Sequence, residues 1–213
     1  MISVRVAIID YGVGNILNIK RAFNALSISA EITSSPKYIA DATHILLPGV
    51  GAFGAGLEGL DKHNLNDTIQ NESKKGKPIL GICLGMQLLL NKSYEFGEWQ
   101  GLGLIPGDVV PLKSSTDNPV KIPQVGWNSI HTESSNDSFI LKNSDQNEDN
   151  FYYFNHSFQV QTQKEYCVST CSYGSNTFAA IIQKDNVIGY QFHPELSGDD
   201  GLSLLNRFIK YLA

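Results

Sequence analysis

Cys83 is the residue whose type and surroundings most suggest chemistry. It lies at the centre of Gly81–Gly85 (Gly-Ile-Cys-Leu-Gly), which follows the apolar run Pro78–Leu80. A short strand entering such a turn before a helix has the layout of a nucleophile elbow, where the turn is too tight for side chains beside the reactive residue. The pattern predicts Cys83 exposed above a sheet, at the amino end of a helix from Leu84 to about Asn91. Helix dipoles lower the pKa of thiols placed there, which favours a nucleophilic cysteine.

An activated cysteine needs a base, and the base needs a group that orients it. His193 lies in Gly189–Glu195 (Gly-Tyr-Gln-Phe-His-Pro-Glu), where a predicted strand, Val187–Phe192, leads into a turn shaped by Pro194. Glu195, two residues on, can hold the imidazole in one tautomer. Taken alone, His-Pro-Glu is an ordinary loop. Beside an elbow cysteine it becomes a candidate base with its orienting carboxylate.

A glycine-rich turn, Pro48–Gly51 (Pro-Gly-Val-Gly), offers backbone N–H groups without bulky side chains. Together with the N–H of Leu84 it could form an oxyanion hole. A second glycine-rich turn, Asp10–Asn15 (Asp-Tyr-Gly-Val-Gly-Asn), lacks the third glycine of the dinucleotide fingerprint. We therefore exclude a Rossmann cofactor site.

The first half of the chain alternates strands and helices, which favours a parallel, doubly wound sheet. Predicted strands are Val4–Ile9, Thr43–Leu47 and Lys77–Ile82, and a predicted helix runs from about Ala55 to Asn71. Ligands of such sheets bind outside the carboxyl ends of the strands. The turns after Ile9, Leu47 and Ile82 should therefore share one edge.

From about Gly101 the pattern changes to short strands, which predicts an antiparallel extension of the sheet and an α/β fold with a mixed, mostly parallel central sheet. A polar excursion, His131–Asn150, interrupts the strands, and Asp199 or Asp200 is expected to cap a last helix that ends at Tyr211. The predicted strands are Val120–Ile122, Asn150–Phe154, Tyr166–Thr170, Phe178–Gln183 and Val187–Phe192.

Length and composition describe an ordinary globular protein, and the 213 residues fit a single domain, 1–213. The net charge of −5 gives no reason to expect nucleic acid. No apolar run is long enough to span a bilayer and Met1–Val6 does not read as a secretion leader, so we expect a cytoplasmic protein. Cys167 and Cys171 lie too far apart on a predicted strand for a disulfide and are interpreted as structural thiols. No metal site is expected.

Five ordered segments together resemble the class I (triad) glutamine amidotransferases over essentially the whole chain. The cysteine and His-Pro-Glu segments are shared across that family, whereas Asp10–Asn15 and Pro48–Phe53 are typical of its imidazole glycerol phosphate synthase glutaminases. The segments are Asp10–Asn15, Pro48–Phe53, Gly81–Gln87, Gly126–Asn128 and Gln191–Glu195. The resemblance implies the flavodoxin-like fold of the family and no cofactor.

The resemblance also implies roles for residues. Cys83 would attack the side-chain amide of L-glutamine and form a thioester, His193 oriented by Glu195 would move the protons, and ammonia would leave. The remaining implied roles are oxyanion donors at Val50 and Leu84 and glutamine contacts at Gly49, Gly51, Gln87, Ser157 and Phe158. In the family, the Gly49–Val50 peptide has to reorient before its N–H points inward.

A (β/α)₈ cyclase needs about 250 residues, for which this chain has no room beside a glutaminase. The resemblance therefore implies a heterodimer with a separate barrel cyclase that receives ammonia in histidine biosynthesis. Three departures from the family, at Leu196 (usually lysine), at Gln124 (usually histidine) and in the long His131–Asn150 excursion, are expected around the partner face.

These departures keep a second enzyme open, a paralogous glutaminase whose barrel partner amidinates a surface-polysaccharide sugar. Two other classes are a non-catalytic interaction module, which the intact Cys83, His193 and Glu195 disfavour, and a free-standing cysteine hydrolase, which leaves Asp10–Asn15 unexplained.

Overall fold

The computed structural model of the protein describes residues 4–132 and 151–211, and short apolar runs form most of its strands. The helices are α1 (Ile16–Ala25), α2 (Pro36–Asp41), α3 (Phe53–Lys62), α4 (Leu65–Lys74), α5 (Leu84–Leu88) and α6 (Gly198–Lys210), with 3₁₀ turns at Lys164–Tyr166 and Pro194–Leu196. The strands are β1 (Val6–Ile9), β2 (Ala30–Thr33), β3 (His44–Leu47), β4 (Ile79–Ile82), β5 (Lys92–Ser93), β6 (Trp99–Gln100), β7 (Gly107–Pro111), β8 (Gln124–Ser129), β9 (His131–Thr132), β10 (Phe151–His156), β11 (Phe158–Thr162), β12 (Cys167–Tyr173), β13 (Asn176–Lys184) and β14 (Val187–Tyr190).

The central sheet has the strand order β2-β1-β3-β4-β14-β13-β12-β9 among the described residues. From β2 to β14 all neighbours are parallel, and β13, β12 and β9 continue the sheet as antiparallel strands. Every residue of β1, β3 and β4 is buried because helices cover both faces of the sheet. The predicted α/β class with an antiparallel extension is therefore confirmed.

The two faces of the central sheet carry separate apolar cores. Phe23 of α1 and Phe208 of α6 belong to one core, and Phe53 of α3, Ile69 of α4 and Leu88 of α5 belong to the other. The described residues form two further, smaller sheets, β10-β8 and β11-β7-β5-β6. Because β1, β3 and β4 are parallel neighbours in the central sheet, the turns that follow them lie at one edge, as the sequence predicted.

Two helix predictions were wrong in extent. The predicted helix Ala55–Asn71 is two helices, α3 and α4, because Asn64 adopts a left-handed backbone conformation between them (φ 54°). The helix after Cys83 ends at Leu88 and not near Asn91. Backbone N–H groups of Leu102 and Gly103 bond to carbonyls in this region, so a distant segment takes acceptors that a longer helix would use.

Val120–Ile122 was predicted as a strand, and this was wrong. The backbone of this segment bonds to side chains, with the Val120 N–H donating to Ser114 Oγ and the Lys121 carbonyl accepting from the Tyr173 hydroxyl. Asp199 and Asp200 lie within the first turn of α6 and do not cap it, since the helix already begins at Gly198. There they still favour the helix through its dipole.

The other predicted strands are present with ends shifted by one to three residues, which is the usual uncertainty of element boundaries. The predicted excursion His131–Asn150 begins with β9, which pairs with β12, and its remaining residues lie outside the described part of the chain. Cys167 and Cys171 are buried on β12, which agrees with the structural interpretation.

Candidate functional site

The elbow at Cys83 has the tight geometry that its glycines predicted. Strand β4 ends at Ile82, Cys83 has a positive φ of 52°, and α5 begins at the next residue. A methyl group at position 81 would lie 2.6 Å from the carbonyl oxygen of Gly85, and one at position 85 would overlap the carbonyl oxygen of Leu47. Side chains on either side of the cysteine are therefore excluded by backbone.

The predicted exposure of Cys83 was wrong, because only 5% of the residue is accessible. Strand β10, more than seventy residues away in sequence, covers the thiol, and the Sγ atom lies 3.7 Å from the carbonyl oxygen of Asn155. The sulfur therefore lies in the wall of a cavity and not above an open sheet edge.

His193 and Glu195 lie beside this cysteine, as the sequence predicted. The Nδ1 atom of His193 lies 2.9 Å from Oε1 of Glu195, and both side chains are almost completely buried. Burial lowers the pKa of His193, but the negative charges of a Cys83 thiolate and of Glu195 outweigh it, so the pKa is raised. The contacts with Cys83 and Glu195 therefore favour the protonated form of His193.

Backbone contacts fix the turn that carries this pair. The N–H of His193 donates to the carbonyl of Tyr153 (2.8 Å) on β10, and the Ser197 hydroxyl donates to the His193 carbonyl (2.6 Å). Pro194 opens the 3₁₀ turn that directs Glu195 back at the imidazole. Since Glu195 engages Nδ1, Nε2 is the nitrogen available to the sulfur.

The Pro48–Gly51 turn reaches the elbow, but the predicted oxyanion donors are not both free. The N–H of Leu84 donates to the carbonyl of Gly49 (3.3 Å), so a carbonyl oxygen occupies the place where an oxyanion would bind. The Tyr11 hydroxyl donates to the Pro48 carbonyl, and a methyl group on Gly49 would lie 2.6 Å from that hydroxyl. The turn is therefore tightly packed in a conformation that blocks the hole.

A cavity of about 210 Å³ opens at Cys83, smaller than the pockets that hold drug-sized ligands. Six residues predicted as oxyanion or substrate contacts line it: Val50, Gly51, Leu84, Gln87, Ser157 and Phe158. Gly49 does not line the cavity but lies behind it, between the Tyr11 hydroxyl and Leu84.

Gln87 was expected to contact glutamine, and it lines the cavity at Cys83. Its Nε2 atom donates to the Phe158 carbonyl and to Oε1 of Gln191, both at 3.2 Å. The NH₂ group of Gln87 is thus used within the protein, and the contact with glutamine stays a prediction.

Glu95 is a cavity residue that sequence reasoning missed. Its Oε2 atom accepts the N–H of Phe53 (2.6 Å), and burial raises the pKa of its carboxyl group although that hydrogen bond lowers it. Glu95 is the acidic residue in the cavity lining. Its position depends on a loop between β5 and β6, for which the local sequence holds no catalytic pattern.

His156 is a second cavity residue without an assigned role. Burial lowers its pKa to about 4, although the hydrogen bond to the Phe158 carbonyl, 2.7 Å from Nδ1, raises it. The imidazole is therefore neutral, with its proton on Nδ1 and a lone pair on Nε2. Asn155 and Pro123 complete the lining.

Across residues 4–132 and 151–211, the side chains of His, Cys, Asp and Glu form no group of three that could hold a metal ion. In the same ranges, helices are too short or too polar to cross a membrane.

Comparisons with known proteins agree with this geometry. The family model for glutamine amidotransferase class-I matches residues 7–211. The chain is 42% identical over 211 residues to imidazole glycerol phosphate synthase subunit HisH 1 of Legionella pneumophila (strain Lens), covering 96% of this chain and 98% of that protein. It is 41% identical over 203 residues to subunit HisH of Lacticaseibacillus casei (strain BL23), covering 95% and 94%.

Solved structures share the fold at lower identity. PurLQS from Thermotoga maritima superposes with a TM-score of 0.74 at 19% identity over all of both chains. The glutaminase domain of Trypanosoma brucei CTPS superposes with a TM-score of 0.66 at 17% identity, covering 97% of this chain and 94% of that one. With an elbow cysteine, a buried histidine–glutamate pair and a family match over nearly its whole length, this chain belongs to the class I glutamine amidotransferase family.

Proposed function

We propose that this chain is the glutaminase subunit of imidazole glycerol phosphate synthase, which hydrolyses L-glutamine and passes ammonia to a separate (β/α)₈ cyclase subunit. The observation that carries the proposal is a complete Cys83, His193 and Glu195 constellation in a chain 41–42% identical to HisH subunits over nearly its full length.

The chemistry follows from the buried pair. The Cys83 sulfur attacks the side-chain carbonyl carbon of glutamine, the C–N bond breaks, and His193 delivers its proton to the departing ammonia. His193 then takes a proton from water, which attacks the thioester and releases glutamate and the thiol. Glu195 keeps the imidazole oriented and compensates its positive charge in both steps.

The cavity suits a free amino acid better than a peptide because it is small and because the described residues of its wall include one carboxylate, that of Glu95. Glu95 can bind the α-ammonium group of glutamine, which no peptide-bonded glutamine would offer. The backbone of Gly51, Ser157 and Phe158 lies across the cavity for the rest of the substrate.

The conformation of the oxyanion turn supports a proposed dependence on a partner. Hydrolysis needs the N–H groups of Leu84 and Val50 directed at the developing oxyanion. The Gly49 carbonyl now accepts the Leu84 N–H, so the Gly49–Val50 peptide has to turn over first. We therefore expect slow hydrolysis by the isolated subunit and fast hydrolysis with the ligand-bound cyclase.

The β8–β10 outer face, formed by Val125, Trp127, Phe151 and Tyr153, is the surface that we assign to the cyclase. Trp127 is 54% exposed, and its ring lies edge-on to Tyr153, with centroids 6.1 Å apart. The Tyr153 backbone holds His193, so this face is joined directly to the triad. Exposed aromatic side chains are enriched at protein interfaces.

The two substitutions expected at the partner face differ in position. Leu196 is partly exposed in the turn after His193 and fits that expectation. Gln124 is 1% exposed and lies opposite His156 in the β8–β10 pair, so it cannot contact a partner. Of the two residues, Leu196 alone therefore supports the second candidate function, in which the partner amidinates a sugar. The similarity to HisH subunits favours the cyclase instead.

The test is glutamine hydrolysis by the wild-type chain, alone and with the cognate cyclase bound to its ribonucleotide ligand. We expect strong stimulation, loss of turnover in Cys83→Ala, and wild-type turnover in Cys167→Ala, which removes another buried thiol. Turnover retained in Cys83→Ala would remove the sulfur from the mechanism. If only a sugar-modifying partner stimulated hydrolysis, the proposed role in imidazole glycerol phosphate synthase would be rejected, whereas the glutaminase chemistry would stand.

A further inference from the structure

Gln191 is a buried residue that touches the nucleophile and has no role in the mechanism above. It follows β14, two residues before His193, and none of its surface is accessible. Its Nε2 atom lies 3.8 Å from the Sγ atom of Cys83, within the range of a hydrogen bond to sulfur. A neutral amide donor therefore faces the reacting atom from inside the protein.

The orientation of this amide is fixed by a chain of hydrogen bonds. The Phe158 carbonyl can only accept, so the group of Gln87 that lies 3.2 Å from it must be the NH₂. The same nitrogen lies 3.2 Å from the Gln191 amide, which must present its oxygen there. The NH₂ group of Gln191 is then left to face the sulfur. A backbone carbonyl thus determines, through two side chains, that Cys83 receives a donor.

The effect of this donor depends on the charge of the sulfur. As a thiol, Cys83 can donate to the Asn155 carbonyl, 3.7 Å away, and gains little from Gln191. As a thiolate, it has lost that bond and gains an N–H from Gln191, because hydrogen bonds to charged groups are stronger than those between neutral groups. Gln191 therefore stabilises the reactive form selectively.

Gln191 differs from His193 in that it has no proton to give away. His193 loses its proton to the departing ammonia and regains one from water, so its charge changes twice in each turnover. The thiolate is expelled from the second tetrahedral intermediate after His193 has regained its charge, and the Gln191 N–H is directed at the sulfur throughout. Gln191 therefore adds a donor that does not change with the protonation state of His193.

We propose that Gln191 is a further catalytic residue, which donates a hydrogen bond to the Cys83 thiolate, and that Gln87 positions it. The proposal rests on the proposed glutaminase function for its kinetic consequence. Its chemical consequence, a thiolate stabilised by a neutral donor, holds whatever the substrate is.

The first experiment measures the rate at which iodoacetamide alkylates Cys83, followed by peptide mass spectrometry between pH 5 and about 10, a range that spans ordinary thiol titration. Gln191→Met removes the N–H at similar length, and Gln191→Glu places oxygen where the donor was. Both should move the half-maximal pH of alkylation upward, Glu further than Met. Gln159→Met, another buried glutamine, whose amide bonds only weakly to the Pro111 carbonyl (3.5 Å), is the matched control and should not move it.

The second experiment measures partner-stimulated hydrolysis. Gln191→Met should lower kcat about 10- to 100-fold, the effect of losing one hydrogen bond to a charged group, with KM changed less than about threefold. Gln87→Met, which frees the Gln191 amide to turn, should lower kcat by a smaller factor.

An unchanged alkylation profile in folded Gln191→Met and Gln191→Glu would overturn the proposal, with folding checked by thermal denaturation. Absence of hydrolysis in the wild-type protein would instead count against the proposed function, because the alkylation profile needs no turnover. A lower kcat with an unchanged alkylation profile would assign Gln191 a packing role and reject the donor.

Discussion

In Glu195→Gln, a buried carboxylate that engages Nδ1 of His193 becomes a neutral amide of the same shape. The amide oxygen can still accept the Nδ1 proton, so the imidazole can keep its orientation. What disappears is the negative charge beside the imidazolium. The variant therefore separates the electrostatic role of Glu195 from its orienting role.

The expected loss follows from the 2.9 Å separation of Nδ1 and Oε1. Opposite unit charges at that distance attract by about 6 kcal/mol at an effective dielectric constant of about 20. The hydrogen bond that the amide can still accept returns about 1 kcal/mol. A net loss of about 4–5 kcal/mol corresponds to about three to four orders of magnitude in kcat/KM.

The assay is cyclase-stimulated glutamine hydrolysis at neutral pH, with the free energy of unfolding measured in parallel. Glu165→Gln, an exposed glutamate of the Lys164–Tyr166 turn, is the control and should keep wild-type activity. A Glu195→Gln enzyme that is folded and within about tenfold of wild type would refute the reasoning, because a tenfold change corresponds to only about 1.4 kcal/mol of the expected loss.

Three further predictions concern stability and association. In the unfolded chain, His156 binds a proton below the ordinary pKa of histidine. In the folded protein, the buried imidazole binds one only near pH 4. The free energy of unfolding should therefore fall as the pH drops from the ordinary histidine pKa to about 4. His156→Asn should remove up to about 3 kcal/mol of this pH-dependent change in the free energy of unfolding, measured by urea denaturation. Gly85→Ala should lower the free energy of unfolding by at least about 3 kcal/mol because its methyl group meets the Leu47 carbonyl. The control, Gly56→Ala, lies in a helix against flexible side-chain methyls and should be neutral or stabilising. Thermal denaturation measures both. Trp127→Ala should weaken cyclase binding at least about 30-fold, measured by calorimetry, and should leave the Tm of the subunit unchanged. An unchanged affinity would show that the interface does not include Trp127.

Local constraints explain what could be predicted from the sequence. The elbow at Cys83 was predictable because a tight turn excludes side chains from neighbouring positions, which leaves glycines in the sequence. The histidine–glutamate pair was predictable because both residues belong to one turn, fixed by Pro194.

Contacts between distant segments explain the failures. Cys83 is buried because β10 covers it. The residues around the cysteine could not indicate this, since Asn155 of β10 lies 72 residues further along the chain. Helix α5 is short because Leu102 bonds to the Leu88 carbonyl. Glu95 enters the cavity on a loop whose path depends on how two small sheets pack, so its role could not be inferred from neighbouring residues.

The hydrogen bond from Leu84 to the Gly49 carbonyl has a consequence for the nitrogen supply of the cell under the proposed function. A carbonyl oxygen at that place repels the negative charge that hydrolysis must develop, yet it leaves the cavity open to glutamine. The unaccompanied subunit is then expected to bind glutamine and to consume it only slowly. Most ammonia, which would otherwise diffuse away unused, is then released when an acceptor is bound.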